Sequence, residues 1–322
     1  MIIETHKLTK RYGKLVAVDG INLAVKKGEI FGLLGPNGAG KTTTISMLAT
    51  MIDPTAGKAS IAGFDVKERQ DEVRSIIGMV FQDPTLDTEL TAYENLDFHA
   101  RLYSVPNAGA RIREVMEVVE LWDRRNDLVK NYSGGMKRRL EIARGLLHWP
   151  KVLFLDEPTL GLDPQTRRHI WSYIRKMNQE HGVTILLTTH YMEEADELCD
   201  RVAIIDHGRI IAIETPEKLK SRLGETSLLF EVSDPEAFCR LAGRAKCGKH
   251  KRVDGSVQVT ASNGDKLIPK LVSLAEKSHI KVLGVSMRSS TLEDVFISLT
   301  GRTIREEQAG SKDRWAFGRR ML

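Results

Sequence analysis

At 322 residues, with 41% apolar and 28% charged side chains, the chain has the composition of a folded protein and not of a disordered one, and at ~150 residues per domain it has room for one large unit and one small one. A formal charge of +5 invites nucleic acid or anionic lipid as a partner, but basic and acidic residues are interleaved, the pattern of a mixed solvated surface. Three scattered cysteines, Cys199, Cys239 and Cys247, suit neither a zinc site nor a disulfide framework, and no apolar run approaches the ~20 residues of a membrane helix.

The opening MIIETHKLTKRYG lacks the charged-then-apolar order of a signal peptide, so the cytoplasm is the expected location. Alternating Ile21, Leu23 and Val25 predict half-buried strands that end at the Lys26-Lys27-Gly28 turn. Ile30 to Leu34 is a continuous apolar run and reads as a buried strand, followed by a glycine-rich loop and a helix over Thr42 to Leu48. That loop, Gly35, Pro36, Asn37, Gly38, Ala39, Gly40, Lys41 and Thr42, with Thr43 behind it, fits G-x-x-x-x-G-K-[ST] without a mismatch. Its glycines let backbone N–H groups turn toward phosphates, Lys41 supplies charge to the β- and γ-phosphates, and the Thr42 hydroxyl can ligate Mg²⁺. The helix behind it points its positive end at the same anions. The pattern implies a nucleotide without a task, since GTPases, kinases, helicases and transporters share it.

From about residue 84 to 149 the periodicity is helical, with Thr91 and Glu94 spaced as a capping box, and reads as a helical insertion. Val152 to Leu155 returns to a buried strand and delivers Asp156 and Glu157 at its carboxyl end. Asp156 is placed to hold Mg²⁺ through water, and Glu157 to orient or deprotonate an attacking water. A helix opening at Asp163-Pro164 buries Ile170, Ile174 and Met177, and Thr184 to Leu187 is the next strand. Strand, helix, strand implies a parallel sheet with helical crossovers. Near Ser221 the chemistry-bearing motifs stop. Ser227 to Val232, Pro235 to Leu241, an Asp254-Gly255 turn between two strands, a helix carrying Leu267, Leu271 and Leu274, and Lys281 to Met287 give the order βαββαβ of a small ferredoxin-like α+β domain.

Asn131-Tyr132-Ser133-Gly134-Gly135, continued by Met136-Lys137-Arg138-Arg139 and ending near Arg144, sits just before the carboxylate strand. Here the chain resembles the ATP-binding cassette family, whose signature is Leu-Ser-Gly-Gly-Gln followed by a basic helix. A serine hydroxyl and glycine amides at a helix start offer a second anion site. The resemblance implies an α/β P-loop NTPase cassette, with a mixed sheet core and the helical insertion, over residues 1–220, and the residues beyond read as an accessory domain over 221–302 and a basic tail over 303–322. It also implies that Tyr12 stacks on adenine, that Gln82 joins Mg²⁺ and water to the insertion, that Gly161-Leu162-Asp163 meets an opposing subunit, and that His190 reaches the γ-phosphate. The signature departs from the family pattern at Tyr132 and Met136. This variant, its basic continuation and the ending Thr291-Leu-Glu-Asp-Val-Phe296 with Leu299-Thr-Gly-Arg302 are similar to the daunorubicin-resistance type of drug exporter.

In such a family ATP and Mg²⁺ are sandwiched between the phosphate loop of one copy and the signature of another, so the implied partners are a second identical chain and a separately encoded permease at the inner face of the membrane. No nucleic acid is expected. The alternative, a soluble cassette ATPase acting on nucleic acid or ribosomes, rests only on the basic composition, and one uninterrupted cassette without heptads or cysteine clusters speaks against it. Two readings stand open for residues 221–302, a stabilising appendage or a part in dimer or permease assembly. Two also stand for the tail, whose net +3 from Arg302 onward accompanies Trp315 and Phe317: a solvated end, or a segment lying on an anionic membrane.

Overall fold

The computed structural model describes residues 1–222, 226–245, 249–253, 256–261, 264–288 and 290–301. They fall into two compact units that divide between Thr215 and Pro216.

In the first unit, β1 (Ile3–Tyr12) and β2 (Leu15–Val25) are antiparallel, with Ile3 opposite Val25. β3 (Ile30–Leu34) is buried at every position and leads through the glycine-rich loop into α1 (Lys41–Leu48). β4 (Ala56–Ile61) and β5 (Phe64–Asp65) complete a four-stranded antiparallel sheet in the order β2-β1-β4-β5. After α2 (Gln70–Ile76) and β6 (Ile77–Val80) come α3 (Ala92–Leu102), α4 (Ala108–Val118) and α5 (Gly134–Leu146), the expected helical insertion. β7 (Val152–Asp156), α6 (Pro164–His181), β8 (Thr184–Thr189), α7 (Met192–Leu198), β9 (Arg201–Asp206) and β10 (Arg209–Glu214) close the unit.

Local chemistry sets the helix ends. Thr91 and Glu94 form the capping box of α3, each side chain bonded to the other's backbone N–H. Asp163 caps α6 by accepting from the N–H groups of Gln165 and Thr166, Pro164 occupies its first turn, and Gly182 ends it at φ 63°. The inner face of α6 buries Ile170, Tyr173, Ile174 and Met177.

The second sheet of this unit has the order β10-β9-β3-β8-β7-β6, parallel except for β10. β3, β7 and β8 are covered on both faces, which is why their sequences are unbroken apolar runs instead of alternating ones. Leu8, Val18, Ile21 and Leu23 of the antiparallel sheet share one core with Phe31, Leu33, Ile45, Phe154 and Leu186. The register decides where chemistry can happen: Leu34 lies beside Thr189, and Asp156 beside Thr188. The carboxyl ends of β3, β7 and β8 therefore finish level along one edge, where open α/β sheets take their ligands.

The second unit contains α8 (Pro216–Arg222), β11 (Thr226–Val232), α9 (Pro235–Arg244), β12 (Lys249–Val253), β13 (Ser256–Ala261), α10 (Gly264–Lys277), β14 (Val282–Arg288) and α11 (Leu292–Thr300). Its antiparallel sheet has the order β12-β13-β11-β14, the ferredoxin-like arrangement, over a core of Leu228, Phe230, Phe238, Val257, Val259 and Leu271. The division after Thr215 replaces the expected one after Lys220, because α8 groups with this unit and packs against α11, with Leu219, Leu292, Val295 and Phe296 buried. The Asp254-Gly255 turn and the 303–322 tail lie outside the described residues. No helix among the described residues is long and apolar enough to cross a membrane.

Candidate nucleotide-binding site

The loop between β3 and α1 is built for close backbone approach. A Cβ on Gly35 would meet the Ile205 carbonyl oxygen at 2.2 Å, and one on Gly40 would meet that of Ala17 at 2.5 Å, with Gly40 at φ 103°. Only glycine fits either place. Asn37 and Gly38 stand exposed at the apex, while Gly35, Pro36, Ala39 and Gly40 are buried. Lys41, 4% exposed, folds its ammonium back into the loop and donates to the carbonyls of Gly35 (2.7 Å) and Pro36 (3.0 Å). The first turn of α1, which carries Thr42 and Thr43, holds no acidic side chain, so nothing there competes with an anion at the helix start.

The carboxylates meet this loop directly. Thr42 Oγ1 donates to Asp156 Oδ1 at 3.2 Å, and the Thr188 hydroxyl donates to the same oxygen. Thr188 Oγ1 in turn accepts from the backbone N–H of Glu157 at 3.0 Å. Glu157 Oε1 lies 3.4 Å from Lys41 Nζ, and its Oε2 lies 3.1 Å from His190 Nδ1. Burial raises the Asp156 carboxyl above its usual range, against the pull of the Thr188 and Thr42 hydroxyls. Burial pushes Glu157 the same way, but His190 and the Lys41 charge outweigh it and hold that carboxyl below its usual range. Glu157 thus stays ionised beside a cation and an imidazole. Its backbone sits at φ 47°, a left-handed conformation that non-glycine residues adopt only where their surroundings impose it.

Of the residues singled out in the sequence, the fold brings Lys41, Thr42, Asp156, Glu157 and His190 into one contact network. Among the described residues, no hydrogen bond or ion pair joins Tyr12, Gln82, Ser133, Gly134 or Gly135 to it. Tyr12 stands half-exposed at the end of β1, its ring 5.2 Å from Lys10 Nζ. Gln82 is exposed on the segment after β6. Ser133 caps α5 by accepting from the Met136 N–H at 3.2 Å, and Ser133 and Gly134 are exposed. Gly135 is buried where a Cβ would strike Thr166 Cγ2 at 2.5 Å. Tyr132, at the signature's first variant position, is buried and donates its hydroxyl to the Arg124 carbonyl at 2.8 Å, while burial, aided by the Asp127 charge, pushes its phenol up to about 12. The variant position is a packed and satisfied one. Two residues of the site escaped the sequence reading: Thr188, whose polar position at the end of an apolar strand was its only signal, and the buried Arg138.

The ABC transporter family profile matches residues 18–160. The linearmycin resistance ATP-binding protein LnrL of Bacillus subtilis is 40% identical over 95% of this chain and 100% of its own. The daunorubicin/doxorubicin resistance ATP-binding protein DrrA of Streptomyces peucetius is 43% identical over 93% of this chain and 92% of its own. This chain belongs to the ATP-binding cassette transporter family. It is the ATP-binding and ATP-hydrolysing subunit. The cassette fold is shared with the dimeric ATP-binding cassette MJ0796 bound to ADP and Pi (28% identity, TM-score 0.60, 66% of this chain and 98% of that one). It is shared also with cbiO1 of Clostridium perfringens, part of the transporter complex cbiONQ (28% identity, TM-score 0.65, 76% and 96%). The likeness to LnrL and DrrA extends through the second unit of this cassette subunit, and the nucleic-acid alternative is not favoured.

Proposed function

We propose that this subunit powers a separately encoded permease that exports amphipathic compounds such as drugs, and that it does so as a homodimer held together by ATP at the inner face of the membrane. The observation that carries the reading is the direct contact of Lys41, Thr42, Asp156, Glu157 and His190 at the level ends of three parallel strands, with Ser133 and Gly134 exposed outside that network. A nucleotide in the phosphate loop would find amides of residues 37–43 for its phosphates and Tyr12 for its base, and a second chain would supply Ser133, Gly134 and Gly135 from the other side. Thr42, Asp156 and Gln82 are hard oxygen donors that suit Mg²⁺, which when bound neutralises developing charge on the phosphates. Glu157 takes the proton of the attacking water, and His190, in contact with it, orients that carboxylate and reaches the γ-phosphate. That LnrL is named for linearmycin resistance and DrrA for daunorubicin and doxorubicin resistance supports a drug as cargo.

In cells that carry this subunit with its permease, accumulation of an amphipathic antibiotic should fall, and Lys41→Ala should restore it to the level of cells lacking both. Equal accumulation with wild type and Lys41→Ala would overturn the export reading. A chain ending at Thr215 keeps every residue of the nucleotide site and all six strands of the parallel-rich sheet. We expect it to bind ATP with near-normal affinity in a direct titration but to co-purify poorly with the permease, which assigns the second unit to assembly. Normal export by the shortened chain would leave that unit only a stabilising role.

A further inference from the structure

We infer that Arg138 is a positioning residue for hydrolysis, fixing the backbone of residues 156–158 so that Glu157 keeps its carboxylate between Lys41 and His190. The inference rests on the reading of Glu157 as the base. A guanidinium buried to 7% exposure is costly unless every donor is satisfied, and here all five are. Nε donates to the Pro158 carbonyl at 2.7 Å, Nη2 to those of Asp156 (2.9 Å) and Glu157 (3.1 Å), and Nη1 to the Phe81 carbonyl and to Glu141 Oε2 (3.1 Å). Three consecutive carbonyls can converge on one group only because the chain turns at Glu157, the residue held at φ 47°. From the other side Thr188 Oγ1 takes the Glu157 N–H. The strained residue is clamped before and behind, as such conformations require. Released from Arg138, the backbone is free to leave the left-handed region, and the carboxylate moves away from Lys41 and His190.

The same clamp reaches two other parts of the subunit. Arg138 lies on α5, whose first turn begins at Ser133, so the surface offered to a second copy is tied rigidly to this chain's own base. Glu141, buried, pairs with Arg138 through one oxygen and accepts from the Thr85 N–H at 2.8 Å through the other, which fixes the segment that carries Gln82. Lysine could keep the pair with Glu141 but carries three donors on one atom and cannot span four carbonyls.

The test uses the full chain assembled with its permease. Arg138→Lys should lower kcat by on the order of ten- to a hundredfold, the scale of a small misplacement of a reacting group, with KM for ATP within about threefold of wild type. The ATP-bound dimer of the full Arg138→Lys chain, run without the permease, should outlive that of wild type in size-exclusion runs. In a Glu157→Gln background the same change should cost nothing further, because a residue that acts through Glu157 has nothing left to position. Arg138→Met, with its melting midpoint and ATP binding measured alongside, separates positioning from folding. Near-normal kcat in Arg138→Lys, a further loss on top of Glu157→Gln, or loss of ATP binding in proportion to activity overturns the inference. Normal turnover in Glu157→Gln alone would instead overturn the reading of the base, and this inference with it.

Discussion

Replacing Glu157 with glutamine should leave ATP binding intact and cut steady-state hydrolysis by roughly 10²–10⁴-fold, the usual worth of a positioned general base. The amide is nearly isosteric, and Lys41 keeps its bonds to the Gly35 and Pro36 carbonyls, so the phosphate loop has no reason to collapse. What disappears is the only carboxylate in contact with both Lys41 and His190 among the described residues, which the proposed mechanism makes the acceptor for the water's proton. Because ATP is then bound but not consumed, the dimer it holds together should accumulate and be visible by size exclusion. Lys41→Ala should fail earlier, at nucleotide binding itself, and a titration tells the two apart. Turnover in Glu157→Gln within about threefold of wild type would remove Glu157 from the base role.

Two inactive proteins should regain activity when mixed. In the proposed homodimer Ser133→Arg spoils the surface offered to a partner's nucleotide and Lys41→Ala spoils the phosphate loop, and each alone should be nearly dead. In a heterodimer the intact loop of the first faces the intact signature of the second, so one of the two sites is whole. With random pairing into two-fold dimers and independent sites, roughly a quarter of wild-type turnover returns. Ser133 also caps α5, and retained ATP binding by Ser133→Arg checks that the helix start survives. Absence of recovery where heterodimers demonstrably form would mean that the site is complete within one chain or that both sites must fire together.

Where the sequence carried a strong local signal, it led to the right structure. The apolar runs of β3, β7 and β8 could be read because strands buried on both faces cannot alternate, and the loop at Gly35 could be read because its glycines answer steric demands that no other residue meets. The capping box at Thr91 located α3 for the same reason of local chemistry. What escaped depends on direction in space. Thr188 acts through a hydroxyl that faces across to the neighbouring strand β7, and no periodicity reports which way it turns. Arg138 belongs to a residue type that usually faces water, so in the sequence its basic neighbourhood reads as a marker of kinship, whereas its side chain is buried against four carbonyls. The boundary slipped to Thr215 because α8 is a seven-residue helix, too short to show a period. The segment at Thr291 begins α11 with a capping box to Asp294, a local signal of the same kind as the one at Thr91.

The strand order has a consequence for how the protein is made. β3 leaves the ribosome well before its two neighbours in the sheet, β8 and β9, so Leu34 waits for Thr189 and Ile204. At about 5–20 residues per second, synthesis separates them by roughly 10–30 s. Throughout that interval a fully apolar strand and a glycine-rich loop are present with no sheet to join, and the ATP site does not exist. The nascent chain therefore spends its longest vulnerable period with its future catalytic edge unprotected, and chaperone dependence should concentrate there.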